Sequence, residues 1–96
     1  MQQLEPVLHA GAGFLELRLD LIRRDPLEIF DRLPEAVQTL VTCRPEAYSE
    51  TERLHLLKTC MELGATYVDV ELESTDAYLG SLTAHARQYP TKLIIS

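Results

Sequence analysis

This sequence predicts an α/β fold of parallel (βα) units, arranged as in a (βα) barrel. Three observations predict it. Strand-like and helix-like segments alternate in the order αβαβαβαβ, with connections too long for hairpins. A helix–Gly–strand unit repeats: "GAGFLELRL" from Gly11 and "GATYVDVEL" from Gly64 share Gly-Ala-x-aromatic-aliphatic-acid-aliphatic-charged-Leu. Such repetition suits a barrel better than an open doubly wound sheet. Finally, "FLELRLDL" and "TYVDVELE" alternate aliphatic and polar residues with the period of a strand.

The elements follow in order. Residues 2–10 ("QQLEPVLHA") read as the end of a helix, closed by Gly11 or Gly13 in the left-handed conformation that glycine tolerates. A strand over 14–21 follows. "DPLE" opens a short helix with Asp25 as N-cap and Pro26 at the first position, ending near Leu33 and Pro34. "TLVTCR" (39–44) is rich in β-branched residues and reads as a second strand. Ser49 and Glu52 form a capping-box pattern for a helix with Leu54, Leu57, Cys60, Met61 and Leu63 at helical spacing, closed by Gly64. A third strand spans 66–73. A helix over 75–89 turns Tyr78, Leu79, Leu82 and Ala86 inward and stops at Pro90; "KLIIS" (92–96) is a last strand.

Composition narrows the function. The 96 residues suffice for one small domain, and 46% apolar with 25% charged residues is ordinary for a globular protein. A net charge of -6 argues against nucleic acid, which demands a basic stripe, and against anionic membranes. No apolar run approaches the ~20 residues of a membrane span, and the N-terminus lacks a signal-peptide pattern. Cys43 and Cys60 form no CxxC and suggest no disulfide framework, so a cytoplasmic location is expected. Glycines Gly11 and Gly13 precede a strand rather than open a helix, so the dinucleotide fingerprint fails.

The strands carry the chemistry. Strands of a parallel sheet are normally covered on both faces and nearly all apolar. Here one face of strand 14–21 carries Glu16, Arg18 and Asp20. One face of strand 66–73 carries Tyr67, Asp69, Glu71 and Glu73, opposite Val68, Val70 and Leu72. Thr42 and Arg44 share a face, opposite Val41 and Cys43. Buried charges at this density persist only if paired or if they serve a ligand. Barrel enzymes place their sites at the C-terminal ends of strands, where Arg18, Asp20, Arg44, Glu71 and Glu73 fall.

Two arginines among acids suit an anionic, hydroxylated substrate, because guanidinium forks bind carboxylates bidentately. Two blander readings stay open: Glu16, Arg18 and Asp20 as the wet face of an edge or antiparallel strand, and Asp69 and Glu71 as simple counter-charges to the arginines. A metal site of Asp20, Asp69 and Glu71 is disfavoured, since the arginines compete with a cation. His9, His55 and His85 all fall on helices and read as surface residues. Cys60 reads as core, Cys43 points away from Arg44, and Lys92 begins its strand at the wrong end for a barrel site. These residues supply no evident nucleophile or general base.

At this point the residues resemble the type I 3-dehydroquinate dehydratases of the shikimate pathway. "ELRLD" resembles that family's E-x-R-x-D strand and "TCR" its next strand end. "DVEL" (69–72), followed by 20 residues and then "LIIS", resembles its active-site signature. The resemblance implies a TIM-type (β/α)8 barrel, of which this chain is a fragment, a single partial domain over 1–96 without the family's first strand and C-terminal half. It implies a lyase that forms a Schiff base between substrate and a lysine, then removes a proton with a histidine. It also implies that Glu16, Arg18 and Arg44 bind substrate, while Asp20, Asp69 and Glu71 orient those groups.

The family's lysine and histidine are not matched by any residue here, so the isolated chain is expected to be inactive. The segment after Arg44 ("PEAYSE") lacks the acid and two glycines of the family, with Glu46 the nearest stand-in. No cofactor is expected, the partner is the small-molecule substrate 3-dehydroquinate, and open sheet edges predict a homo-oligomer. The alternative is a non-catalytic half-barrel that binds anions or assembles with another chain. A different substrate on the same architecture is a third reading, because fold alone does not set function.

Overall fold

The computed structural model describes residues 7–11, 13–34 and 36–96, with 7–11 as backbone alone. In chain order these form β1 (Val7–Gly11), β2 (Phe14–Arg18), α1 (Leu19–Ile22), α2 (Pro26–Asp31) and β3 (Gln38–Thr42). Then come α3 (Glu50–Glu62), β4 (Tyr67–Val70), α4 (Asp76–Ala86) and β5 (Lys92–Ile95). The five strands lie in one sheet in sequence order. Strands β2 to β5 are all parallel, as the alternation of elements predicts.

The N-terminal helix expectation fails. Residues 2–6 lie outside the described residues, and Val7–Gly11 is a strand, antiparallel to β2 with Gly11 opposite Phe14. A hairpin therefore exists where none was expected, and His9 lies on a strand rather than a helix. Gly13, at φ 78°, serves the tight turn between the strands. Positive-φ glycine closes a helix and turns a hairpin equally well, so the pattern was ambiguous.

The helix starts follow their caps. The Asp25 side chain accepts the Leu27 amide at 2.9 Å, with Pro26 at the first helical position. Ser49 accepts the Glu52 amide at 3.2 Å while Glu52 accepts the Ser49 amide at 2.9 Å, a complete capping box on α3. Thr75 caps α4 by accepting the Tyr78 amide at 3.1 Å. Gly64 ends α3 at φ 103°.

The parallel strands end earlier than expected: β3 stops at Thr42 rather than residue 44, β5 at Ile95 rather than residue 96, and the other two lose more. The strand predicted over 14–21 ends at Arg18, and the chain bends into α1, closed by Arg23 in the left-handed region. Leu19 is buried but Leu21 is half exposed, so the alternation breaks there. The strand predicted over 66–73 stops at Val70, and Leu72 is 73% exposed. Its amide is instead donated to the Ser96 carbonyl at 2.6 Å, which pins the segment after β4 to the end of β5.

Helices cover one face of the sheet. Leu17, Val41, Cys43, Val68 and Val70 pack there against Ile29 of α2, Leu57, Cys60 and Met61 of α3, and Tyr78, Leu82 and Ala86 of α4. Each wholly buried leucine contributes about 1.5–3 kcal/mol. By strand parity Glu16, Arg18, Leu40, Thr42, Tyr67 and Asp69 belong to the other face. Register sets Glu16, Leu40, Tyr67 and Lys92 in one row across the sheet, and Arg18 beside Thr42.

Candidate functional site

The C-terminal edge of the parallel sheet gathers the charges. Arg18 is the last residue of β2, Arg44 follows β3 by two residues, Glu71 directly follows β4 and Ser96 follows β5. Asp20 is the second residue of α1. Parallel pairing brings all four strand ends to one side, which sequence order alone does not require.

Arg18 and Asp20 form a fork. Arg18 donates from Nε to Asp20 Oδ1 at 2.9 Å and from Nη2 to Oδ2 at 2.6 Å. Asp20 is buried, whereas Arg18 keeps part of its side chain in the open. Burial alone would push the Asp20 carboxyl up, but the Arg18 hydrogen bonds and charge outweigh it and hold it below the usual carboxylate range. The same hydrogen bond raises the Arg18 guanidinium above its ordinary value. The bend into α1 makes this geometry: on a continuous strand the side chains of 18 and 20 would stand parallel.

Glu71 lies between two arginines. Its Oε1 is 3.3 Å from Arg53 Nη1 and its Oε2 is 3.7 Å from Arg44 Nη1, an ion pair too long for a hydrogen bond. Arg53 projects from α3, is only 8% exposed, donates to Tyr78 Oη at 3.2 Å and lies 4.5 Å from the centroid of that ring. Burial pushes the Tyr78 hydroxyl up to about 12, against the opposing charge of Arg53. Asp69, buried on β4, accepts a hydrogen bond from Ser96 Oγ at 3.1 Å.

Other candidates fall elsewhere. Glu16 is half-buried, one pleat below Arg18, and no ion pair is formed by it among the described residues. Glu46 and Glu73 are exposed. Cys43 and Cys60 are buried and free, and burial raises both thiols, Cys43 to about 12, which fits packing rather than nucleophilic chemistry. His55 is exposed on α3, while His85 meets Glu62 across the α3–α4 surface at 3.0 Å. Lys92 begins β5, at the far end of the sheet, and Lys58 lies in the second half of α3. Among the described residues, no group of three His, Cys, Asp or Glu side chains could hold a metal ion.

Arg53 is the residue that sequence reasoning missed. It stands four residues before Leu57 and seven before Cys60, on the apolar face of α3. A charge at a core position of a helical repeat is a readable signal, and here it marks the buried end of the site.

Comparison with known proteins fits this edge of charges. The family profile of type I 3-dehydroquinase matches residues 1–96. The chain belongs to that family. It is 38% identical over 104 residues to 3-dehydroquinate dehydratase of Desulfotalea psychrophila, covering 99% of this chain and 45% of that one. It is 37% identical over 83 residues to the chloroplastic bifunctional 3-dehydroquinate dehydratase/shikimate dehydrogenase of Arabidopsis thaliana, covering 75% of this chain and 13% of that protein. The chain thus spans less than half the length of these relatives. No solved structure gives a significant match. The family's architecture is a TIM barrel, of which the parallel strands β2 to β5 are a part. Among the described residues no helix is long and apolar enough to cross a membrane.

Proposed function

We propose that this chain forms the substrate-recognition part of a 3-dehydroquinate dehydratase, acting on 3-dehydroquinate as a carbon–oxygen lyase. The observation that carries the reading is the pair of guanidiniums, Arg18 and Arg44, each set by a carboxylate at the same sheet edge. Arg18 and Arg44 bind the carboxylate and hydroxyls of the substrate, with Glu16 beside them on the uncovered face. Asp20 orients Arg18, Glu71 faces Arg44 without a hydrogen bond, and Asp69 is held in place by Ser96. A guanidinium fixed by one carboxylate still has donors for a second, which is how such a site binds an anion in orientation.

Covalent catalysis through a Schiff base needs an amine near the substrate carbonyl, and proton removal needs a base within hydrogen-bond reach. Lys58 and Lys92 both lie away from the charged edge. On this reading residues 1–96 form one partial barrel domain whose part is recognition of substrate. A cytoplasmic location and self-association complete the proposal; half-exposed Ile94 and Ile95 on β5 support the latter.

Calorimetric titration with 3-dehydroquinate tests the reading. Binding that Arg18→Ala and Arg44→Ala each abolish supports it. Tight dimers without any ligand binding would instead favour the assembly module. Turnover of 3-dehydroquinate by these 96 residues alone would overturn the expected inactivity.

A further inference from the structure

The role of Arg53 rests on the proposed site and adds to it. Glu71 faces Arg44 on one side and Arg53 on the other, and these three groups sum to one positive charge. Were Glu71 and Arg44 alone, the pair would be neutral and Glu71 would occupy the donors that an anionic ligand needs. A cavity of about 260 Å³ lies beside Glu71 and Arg53, bordered by Pro45, Ser74 and Thr75. Glu71 Oε2 is buried, without a hydrogen bond, 3.7 Å short of Arg44. Arg53 draws the carboxylate back, and Arg53 is itself fixed by the Tyr78 ring and hydroxyl deep under α4.

We propose that Arg53 is a positioning residue: it holds Glu71 off Arg44, leaving the Arg44 guanidinium charged, uncovered and free to take a carboxylate. The effect is electrostatic and directional. It discriminates ligands with a carboxylate from neutral ligands of the same shape.

Two measurements test this. Affinity for shikimate and for its uncharged methyl ester is measured at temperatures far below unfolding. Arg53→Met lowers shikimate affinity about tenfold and leaves the ester unchanged. Arg53→Lys restores the preference for the carboxylate. In the double variant Arg53→Met/Glu71→Gln the local charge returns to one positive, and shikimate affinity recovers. Exchange of the Arg44 Nη protons, followed by nitrogen NMR, needs no ligand. In Arg53→Met it slows about fivefold, as Glu71 closes the 3.7 Å gap into a hydrogen bond. Arg53→Gln takes the place of Arg53→Met if the latter does not fold.

Equal loss of both ligands, or unchanged Arg44 exchange, overturns the inference and leaves Arg53 a purely structural group. If the unaltered protein binds neither ligand, the proposed function fails, and Arg44 exchange still decides the role of Arg53.

Discussion

The two ends of the parallel sheet are built from different chemistry. At the N-terminal end, Thr39 and Thr66 exchange bonds, each hydroxyl oxygen accepting the other's amide at 3.1 and 3.2 Å, and the buried Thr91 hydroxyl donates to the Ala65 carbonyl at 2.6 Å. These three threonine groups are neutral and partnered. At the C-terminal end stand Arg18, Asp20, Arg44, Arg53 and Glu71, with Arg53 Nε and Glu71 Oε2 buried and unpartnered. Buried ion pairs add little net stability over apolar substitutes. On the proposed reading the charged end serves a ligand, and the threonine end serves the fold.

This contrast can be broken in several places. The largest loss of stability belongs to neither end but to the core between them: Leu57→Ala, at a wholly buried position, lowers unfolding free energy by about 2–5 kcal/mol. Denaturant titration reads it. Thr39→Ala strands the Thr66 amide and costs about 1–3 kcal/mol, with ligand affinity unchanged. A loss of affinity in that variant would contradict the division between ends.

Arg18→Met with Asp20→Asn removes a whole ion pair, leaves no charge stranded and costs under about 1 kcal/mol, while substrate binding disappears. If that double variant unfolds, the charged end is structural after all. Acid gives a smaller effect with a definite sign. Asp20 has a folded pKa below the ordinary 3.8, so its contribution is complete above pH 3.8 and fades as pH falls through the lowered value. Asp20→Asn abolishes that part of the acid transition in a pH series of unfolding midpoints. Smallest of all, Cys43 in the folded protein should not react with iodoacetamide at pH 8, its thiol being buried and raised to about 12.

Where local signals and tertiary contacts agree, the sequence was legible. Helix α3 begins where Ser49 and Glu52 can cap each other and ends where Gly64 can turn, and both signals are satisfied within a few residues of chain. The parallel order of β2 to β5 follows from helices long enough to return the chain to the same sheet edge. The N-terminus was misread because Gly13 suits a hairpin as well as a helix cap, and pairing with β2 decided for the hairpin. "ELRLDL" and "DVELE" predict longer strands than form, because alternation continues in sequence after hydrogen-bonding partners run out in space.

Taken alone, the sequence determined the class of fold, the capped starts of three helices and the identity of the charges, for these depend on residue type and spacing along one segment. It also carried three motifs resembling the family's, in their order. Only the tertiary structure decided that Asp20 turns back to grip Arg18, since that needs the bend into α1. It alone joined Arg53 of α3, Tyr78 of α4 and Glu71 after β4, groups 18 and 25 residues apart in sequence. Charges act through distance in space, and chain spacing does not record that distance.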